Sequence, residues 1–298
     1  MKFYIVDAFT ETTFGGNPAG VVILPDGEDF PSEETMVKTA AELRYSETAF
    51  IRKSGVNEFN IRYFTPAAEV DLCGHATIAS FKALLYSNII QDNDTYINHT
   101  MAGDLNIVVK DGFVLMDMAT PVKIDEIKEK KELDKLYEIM GLSYDKQISS
   151  GLNLTPQMIS TGLPDIMMPV VSLKDLDEIS PDFPSLSKLS EDYKVVGVHA
   201  FTLDKEDALD DATCHVRNFA PLYDIDEEAA TGTSNGALTY YGYLNGFVKD
   251  GDRCKFIQGE KMNRPSAILS TISGKNHGDC HVQVGGNAVI LAEGQINL

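Results

Sequence analysis

The sequence predicts an α/β protein of two similar domains, each a sheet curled around a central helix. The pattern R-x-F-x-P occurs at residues 62–66 and again at residues 217–221. Each copy is followed by an acidic segment and then by a glycine that opens a helix of small and apolar residues, Gly74 in the first half and Gly232 in the second. The same order in both halves indicates an internal duplication.

Composition and charge limit the classes of partner. The chain has 298 residues with a formal net charge of -20, which is long enough for two domains. Such an excess of acid repels phosphate backbones and anionic lipids, so neither nucleic acid nor a membrane is expected as a partner. A small anionic substrate remains compatible, because a local positive site can lie in a negative protein. The N-terminal segment MKFYIVDAFT lacks the features of a signal peptide, and we expect a cytoplasmic protein.

The first third of the chain predicts short strands, then a buried helix and a hairpin. The strand segments are rich in β-branched and aromatic residues: FYIVDAF, AGVVIL, ETAFIRK and FNIRYFT. Apolar residues cover most of the circumference of HATIASFKALLYS, which predicts a helix buried nearly all round. The segment LNIVVKDGFVLMDMA predicts a hairpin that turns at Asp111 and Gly112.

After residue 119 the sequence becomes highly charged, and we place the domain boundary there. The charged segment IDEIKEKKELDKLYEIMG predicts a helix with one solvated face, ended by Gly141. Its apolar residues recur at helical spacing: Leu133, Leu136, Tyr137 and Met140. The rest of the second half is predicted to be strand, apart from a second small-residue helix, SNGALTYYGYL.

Two helix mouths, meaning the first turns of the two central helices, are the candidate binding positions. The first turn of a helix leaves backbone N–H groups without partners and carries partial positive charge, and glycine allows close approach to the backbone. The segments CGHAT around Gly74 and ATGTS around Gly232 are therefore candidate carboxylate cradles. Close packing of helix on strand would explain either glycine alone. A pseudo-twofold relation between the halves would let both mouths face one cleft.

The histidines and cysteines predict no metal site. The six histidines show no compact ligand spacing, and the four cysteines form no C-x-x-C pair. His277 and His281 lie in a short polar segment that we interpret as a turn. At the first mouth, His75 is expected to be neutral because the helix dipole lowers its pKa, with a structural role as the alternative.

Cys73 is a candidate base or nucleophile, because a helix mouth lowers the pKa of a thiol. A two-base thiol racemase needs a second cysteine at the matching mouth. The sequence there has Thr231 before Gly232, and threonine is too weak an acid for this task. We therefore interpret Cys73 as a small buried residue.

Carboxylates remain as candidates for acid–base chemistry. The segment YSETAFI places Glu47 in a strand, on the same side as Ala49 and Ile51. If that side faces inward, burial raises the pKa of Glu47 towards a range useful for proton transfer. If Thr48 and Phe50 face inward instead, Glu47 is solvated.

Two further carboxylates, Glu227 and Glu228, come immediately before the second mouth. One of them could hydrogen-bond a substrate amine or share a proton with Glu47. An ordinary acidic loop is the alternative.

The chain resembles the PhzF-like family of phenazine-biosynthesis proteins in segments that run in the family's order from the first strand to the last. These are DAFTETTFGGNPAGVVIL, SETAFIRK, RYFTPAAEVDLCGHATIAS, RNFAP…EEAATGTSNGAL, QGEKMNRPS and VGGNAVILAEG. The resemblance implies the diaminopimelate epimerase-like fold, with two pseudo-symmetric domains that each wrap a barrel-like, mostly antiparallel sheet around a central helix. In this fold the last strand returns to the first domain. The expected domains are residues 1–118 with 285–298 and residues 119–284, with the active-site cleft between them.

The resemblance also implies isomerase chemistry without a cofactor. In the type enzyme a glutamate of the SET strand moves a proton along an unsaturated, carboxylated ring derived from chorismate, and that glutamate falls on Glu47. The histidine of the family's GHAT falls on His75, beside Gly74. Asn17, in GNP, is expected to frame the cleft.

At the second mouth the family's DPATGS reads EAATGT. The Asp, Pro and Ser positions are Glu228, Ala229 and Thr233. Glutamate reaches about one carbon further than aspartate, and the loss of proline is expected to loosen the loop. Thr233 keeps a hydroxyl and a backbone N–H, which preserves the anion cradle with Gly232.

The predicted function is a cofactor-independent isomerase that moves a proton on a small carboxylated substrate, with Glu47 as acid and base. The substrate carboxylate would bind at Gly232 and Thr233, and His75 and Glu228 would orient its polar groups. The alternatives are a cysteine-dependent epimerase or racemase and a non-catalytic protein that binds small acids. The family suggests a homodimer.

Overall fold

The structure is a computed structural model that describes residues 1–207, 210–274 and 279–298. In these residues the chain forms seven α-helices and eighteen strands, which confirms the predicted α/β class. The chain divides into two compact units: unit 1 is Met1–Asp117 with Gly285–Leu298, and unit 2 is Met118–Val284. His277 lies outside the described residues. In the described part of the chain, no helix is long and apolar enough to cross a membrane.

The elements follow one another along the chain. The helices are α1 (Glu33–Leu43), α2 (Gly74–Tyr86), α3 (Lys130–Ile139), α4 (Tyr144–Ser149), α5 (Leu173–Glu178), α6 (Phe183–Tyr193) and α7 (Gly232–Asn245). The strands are β1 (Lys2–Ala8), β2 (Asn17–Ile23), β3 (Thr48–Gly55), β4 (Glu58–Phe64), β5 (Glu69–Val70), β6 (Asp94–Thr100), β7 (Gly103–Lys110), β8 (Phe113–Asp117), β9 (Val122–Glu126), β10 (Gln157–Ser160), β11 (Pro164–Pro169), β12 (Val198–Thr202), β13 (Cys214–Ala220), β14 (Ile225–Glu228), β15 (Arg253–Gln258), β16 (Ser266–Ser273), β17 (His281–Gly286) and β18 (Ala288–Gln295).

The strands of the two units pair in the same pattern. In unit 1, β1 pairs antiparallel with β2, β2 parallel with β3, β3 antiparallel with β4, β4 parallel with β6, and β6 antiparallel with β7. In unit 2 the same alternation runs through β10, β11, β12, β13, β15 and β16. The outer neighbour of β1 is β18, and that of β10 is β9. The predicted internal duplication is therefore confirmed.

The helices α2 and α7 lie at the centres of their units. In unit 1, α2 packs on β1, β2, β3 and β18, and in unit 2, α7 packs on β10, β11 and β16. Most side chains of both helices are buried, as the sequence predicts. Small residues allow strands to pack against a helix on all sides.

The R-x-F-x-P motif has the same structural role in both units. In unit 1, the guanidinium of Arg62 donates two hydrogen bonds to the carboxylate of Glu69, at 2.7 and 2.5 Å. In unit 2, Arg217 donates two to Glu227, both at 2.8 Å. Each glutamate lies five residues before the glycine that opens the central helix. The bidentate pairs thus anchor the segment that leads into each mouth.

Other sequence predictions have mixed outcomes. The hairpin of β7 and β8 is confirmed, and its turn residues Asp111 and Gly112 both have positive φ, 53° and 79°. The charged helix is confirmed as α3, which buries the predicted apolar face. The expectation of only strand and one more helix in the second half is wrong, because α4, α5 and α6 lie there. Their polar start signals are present in the sequence: Ser143, Ser172 and Asp182 each accept a hydrogen bond from a first-turn N–H.

Candidate active site

Glu47 lies immediately before β3 rather than within it. Its carbonyl oxygen still accepts a hydrogen bond from the backbone N–H of Gly20, at 3.2 Å. The first four residues of β3 are all buried, so alternation along the strand does not show which side faces inward. Ala49 pairs with Tyr63, and the Tyr63 hydroxyl lies 2.7 Å from that of Thr77 in α2. The side of the strand shared by Glu47 and Ala49 therefore faces α2, as one of the two alternatives predicted.

His75 is the second residue of α2 and the centre of a polar cluster in unit 1. Its Nε2 atom lies 3.1 Å from Glu47 Oε2 and 3.2 Å from Ser46 Oγ. Its Nδ1 atom lies 3.2 Å from Asn17 Nδ2 and 3.4 Å from Cys73 Sγ. The imidazole is buried, and the Glu47 side chain keeps 13% of its surface exposed. The structure thus brings together three predicted residues, and it adds Ser46 and Cys73.

The pKa shifts of Glu47 and His75 have the opposite direction to those expected from the sequence. Burial alone would raise the pKa of Glu47, but the adjacent His75, with Ser46 and Cys73, outweighs burial, and the pKa lies below its usual value. Burial alone would lower the pKa of His75, but Cys73 and the Glu47 carboxylate raise it well above its usual value. The expectations of a raised glutamate pKa and a neutral imidazole are therefore wrong. Each residue supplies the opposite charge that the other needs.

Cys73 is buried, as predicted, and it occupies the N-cap position of α2 without a side-chain capping hydrogen bond. Burial and the nearby Glu47 carboxylate raise the pKa of the Cys73 thiol to about 11. The helix mouth therefore does not produce a thiolate here, because burial disfavours the charged form more strongly.

Gln258 holds the second helix mouth through four hydrogen bonds. Its Oε1 atom accepts from the backbone N–H of Thr231 at 3.1 Å and from Asn235 Nδ2 at 2.9 Å. Its Nε2 atom donates to the carbonyl oxygen of Glu228 at 2.7 Å and to Thr231 Oγ1 at 3.1 Å. Gln258 is fully buried at the end of β15. The sequence contained this residue in QGEKMNRPS, but no local pattern assigned it a partner.

Glu228 ends β14 just before the mouth that contains Gly232 and Thr233. The Thr231 hydroxyl donates to Glu228 Oε2 at 2.5 Å. The carbonyl oxygen of Ala229 accepts a hydrogen bond from Ser266 Oγ at 2.7 Å, and Ala229 is buried. Side-chain hydrogen bonds thus hold the loop at the position where the family has proline.

A cluster of buried polar side chains lies next to the first turn of α7. Ser234, in the first turn of α7, donates a hydrogen bond to Asp165 Oδ2 and accepts one from Asn218 Nδ2 at 3.2 Å. Burial raises the pKa of Asp165 to about 7. The neighbouring His199 is also buried, which lowers its pKa to about 3. The sequence did not predict this group, because its members come from four separate elements.

The two mouths are not chemically equivalent. Gly197 precedes β12 as Glu47 precedes β3, and its carbonyl oxygen accepts a hydrogen bond from Ile166 as that of Glu47 does from Gly20. A Cβ atom at Gly197 would lie only 1.8 Å from the carbonyl oxygen of Phe219. The close approach of the backbone therefore excludes any side chain, and so any carboxylate, from the matching position of unit 2.

One set of described residues has the donor atoms of a metal site. A carboxylate oxygen of Glu47, the sulfur of Cys73 and a ring nitrogen of His75 all lie within 4.8 Å of one another. Sequence spacing did not show this set, because Glu47 comes from a different element.

Comparisons with known proteins agree with this fold. The family described as phenazine biosynthesis-like protein matches residues 6–294. An uncharacterized isomerase from Clostridium acetobutylicum is 33% identical over 100% of this chain and 98% of that protein. The crystal structure of a PhzF-family phenazine biosynthesis protein from Bacillus anthracis has a TM-score of 0.86 and 26% identity over 100% of this chain and 99% of that chain. A hydroxyproline epimerase from Agrobacterium vitis shares the fold alone, with a TM-score of 0.59 and 13% identity over 99% and 90% of the two chains.

Proposed function

Because the chain belongs to the phenazine biosynthesis-like family, we propose that it is an isomerase that moves a proton within a small carboxylated molecule without a cofactor. Glu47 is the proposed acid and base. The observation that carries this assignment is the geometry of Glu47: its Oε2 atom lies 3.1 Å from His75 Nε2, and its side chain keeps 13% of its surface exposed. A carboxylate that is held by a neighbouring side chain and is still partly exposed is suited to accept a proton from a bound molecule. The relative from Clostridium acetobutylicum, named an isomerase, supports the reaction class.

The ionisation of Glu47 limits the substrates it can act on. Its lowered pKa keeps it ionised at neutral pH and makes it a weak base. A weak base removes a proton only from a C–H bond that the substrate itself has made acidic. We therefore propose a substrate whose reacting C–H is conjugated to an unsaturated or carbonyl group, so that the developing negative charge is delocalised.

A single base fits transfer on one face of the substrate. Glu47 would take the proton from one carbon and return it to another. The matching position in unit 2, Gly197, has no room for a second carboxylate. This arrangement supports isomerisation along one face, because inversion of a stereocentre needs acid–base groups on both faces.

The mouth of α7 is the proposed place for the substrate carboxylate. Gly232 and Thr233 present the first-turn N–H groups, which bind anions favourably. Glu228, oriented by Thr231, is the proposed partner for a polar group of the substrate. In unit 1, Asn17 contacts His75, next to Gly74, and His75 contacts Glu47.

The main alternative is an epimerase or racemase that depends on Cys73. Two observations weigh against it. The pKa of Cys73 is about 11, and the matching capping residue of α7 is Thr231 rather than a second cysteine. A second alternative is a protein that binds small acids without turning them over.

Solvent exchange tests these functions and does not require the product to be identified. The protein is incubated in D2O with a panel of small unsaturated carboxylic acids, and deuterium incorporation is followed by NMR. Binding to the same acids is measured by thermal shift. We expect exchange at one C–H of a bound acid, and a loss of at least about 100-fold in rate for Glu47→Gln.

Cys73→Ser is the matched control and should keep the exchange rate within a few-fold. Full exchange by Glu47→Gln would remove Glu47 as the base. Loss of exchange only in Cys73→Ser would favour the cysteine-dependent epimerase. Tight binding without exchange would favour the non-catalytic protein.

A further inference from the structure

We propose that Glu47, Cys73 and His75 form a binding site for one zinc ion, which would bind the carboxylate of the proposed base. The ligand atoms are Glu47 Oε2, Cys73 Sγ and His75 Nε2. Metal binding at this site does not depend on the isomerase activity, so each can be tested without the other.

The distances fit a tetrahedral ion after small side-chain movements. Zinc–ligand bonds of about 2.0–2.3 Å place two ligand atoms of a tetrahedral site about 3.3–3.6 Å apart. His75 Nε2 lies 3.1 Å from Glu47 Oε2 and 3.9 Å from Cys73 Sγ. All three atoms lie within 4.8 Å of one another. The Glu47 and Cys73 side chains would each move by less than about 1.5 Å.

The donor types also fit. Thiolate, imidazole and carboxylate are the ligands that zinc takes in proteins, and three protein ligands leave a fourth position for water or another molecule. Glu47 Oε2 is buried and lies 3.1 Å from His75 Nε2, so a cation bound to both atoms would replace their direct contact. Binding would release the Cys73 thiol proton and the His75 Nε2 proton to solvent, and the metal would form bonds to both atoms.

The other helix mouth provides an internal comparison. The positions that match Glu47, Cys73 and His75 in unit 2 are Gly197, Thr231 and Thr233, which offer no thiolate, imidazole or carboxylate. The expected stoichiometry at these mouths is therefore one ion per chain. Both units have the same kind of helix start, but of these two helix mouths only that of unit 1 has the thiol, imidazole and carboxylate.

Cobalt(II) is the probe, because a thiolate bound to Co²⁺ gives a near-ultraviolet charge-transfer band that other ligands do not give. The full chain is treated with a chelator, dialysed and titrated with Co²⁺, and Zn²⁺ is then added to displace it. We expect a saturating band at one equivalent that Zn²⁺ abolishes. Cys73→Ser should lose the band, and Glu47→Gln should keep it with an affinity weaker by at least about tenfold.

His99→Ala is the matched control for adventitious binding. His99 is a half-exposed histidine whose ring lies 2.7 Å from Asp104 and 3.5 Å from Glu58, so it can attract metal at the surface. The band should be unchanged in His99→Ala. The proposal is overturned by a titration of the folded wild-type chain without a thiolate band, or by a band that survives in Cys73→Ser. Circular dichroism of each variant shows that the fold is kept.

Discussion

Replacing Asp165 with asparagine should stabilise the protein at high pH and leave its stability near pH 4 almost unchanged. Asp165 is 2% exposed, and its Oδ2 atom accepts a hydrogen bond from Ser234. Its Oδ1 atom is buried and has no hydrogen-bond partner in the described part of the chain. Burial, with the nearby charge of Glu228, raises the pKa of Asp165 to about 7. Asparagine keeps the shape and the acceptor but carries no charge at any pH.

The magnitude follows from the pKa of Asp165 in the two states. Its ordinary value is 3.8 and its folded value is about 7. Between these values the unfolded chain loses the proton while the folded chain keeps it, so stability falls as pH rises. Each pKa unit corresponds to about 1.4 kcal/mol, which gives a total penalty of about 4 kcal/mol above pH 7. From pH 5 to pH 8 the advantage of Asp165→Asn over wild type should grow by about 3 kcal/mol.

Urea denaturation followed by circular dichroism at pH 5 and pH 8 measures this difference. Other titrating groups contribute equally to wild type and variant, so their effects cancel in the difference. Asp226→Asn is the matched control, because Asp226 is exposed, and its stability should follow that of wild type at both pH values. An advantage of Asp165→Asn that does not change with pH would refute the reasoning.

Five further substitutions, which form three tests, use the same denaturation assay. Gly197→Ala should lower the free energy of unfolding by more than about 4 kcal/mol, because the new methyl group would lie 1.8 Å from a backbone oxygen. The methyl group of Gly294→Ala enters open space, and the free energy of unfolding should change by no more than about 0.5 kcal/mol. Equal effects of the two substitutions would contradict the close approach at Gly197. Arg217→Met should lower the free energy of unfolding by about 4 kcal/mol, and Arg62→Met should lower it by about 1 kcal/mol. The difference is expected because the Arg217 side chain is 11% exposed and that of Arg62 is 28% exposed. A larger effect of Arg62→Met would show that burial is not the cause. Gln258→Leu should lower the free energy of unfolding by about 3 kcal/mol, because four hydrogen bonds are lost in a buried position. An unchanged stability would show that other contacts hold the second helix mouth.

Local patterns in the sequence predict the parts of the site that depend on neighbours along the chain. Gly74 and Gly232 are predicted to open helices, and α2 and α7 begin there. The repeated R-x-F-x-P motif predicts the duplication because each copy forms a strand end followed by the same acidic segment and helix. These features repeat within short segments, where spacing alone carries the information.

Contacts between distant segments do not follow from local patterns. Ser46 and His75 are 29 residues apart, and Gln258 and Thr231 are 27 apart. No periodicity links such pairs, because their approach depends on how β3, β15 and the central helices pack. Helices α4 and α5 escaped prediction because each has only six residues, which is too few to show a helical period. Helix α6 has eleven residues, and its N-cap Asp182 with a proline in the first turn is a start signal that the prediction of strand overlooked.

The sequence by itself determined the family, the duplicated α/β architecture and the two helix mouths, and it led to the proposal of Glu47 as the acid–base carboxylate. Only the tertiary structure decided the direction of the pKa shifts at the first mouth. The helix dipole and burial, considered separately, predicted a neutral His75 and a raised pKa for Glu47. Their separation of 3.1 Å reverses both expectations, because the attraction between opposite charges in a buried site depends on distance and is not encoded in the spacing of either residue along the chain.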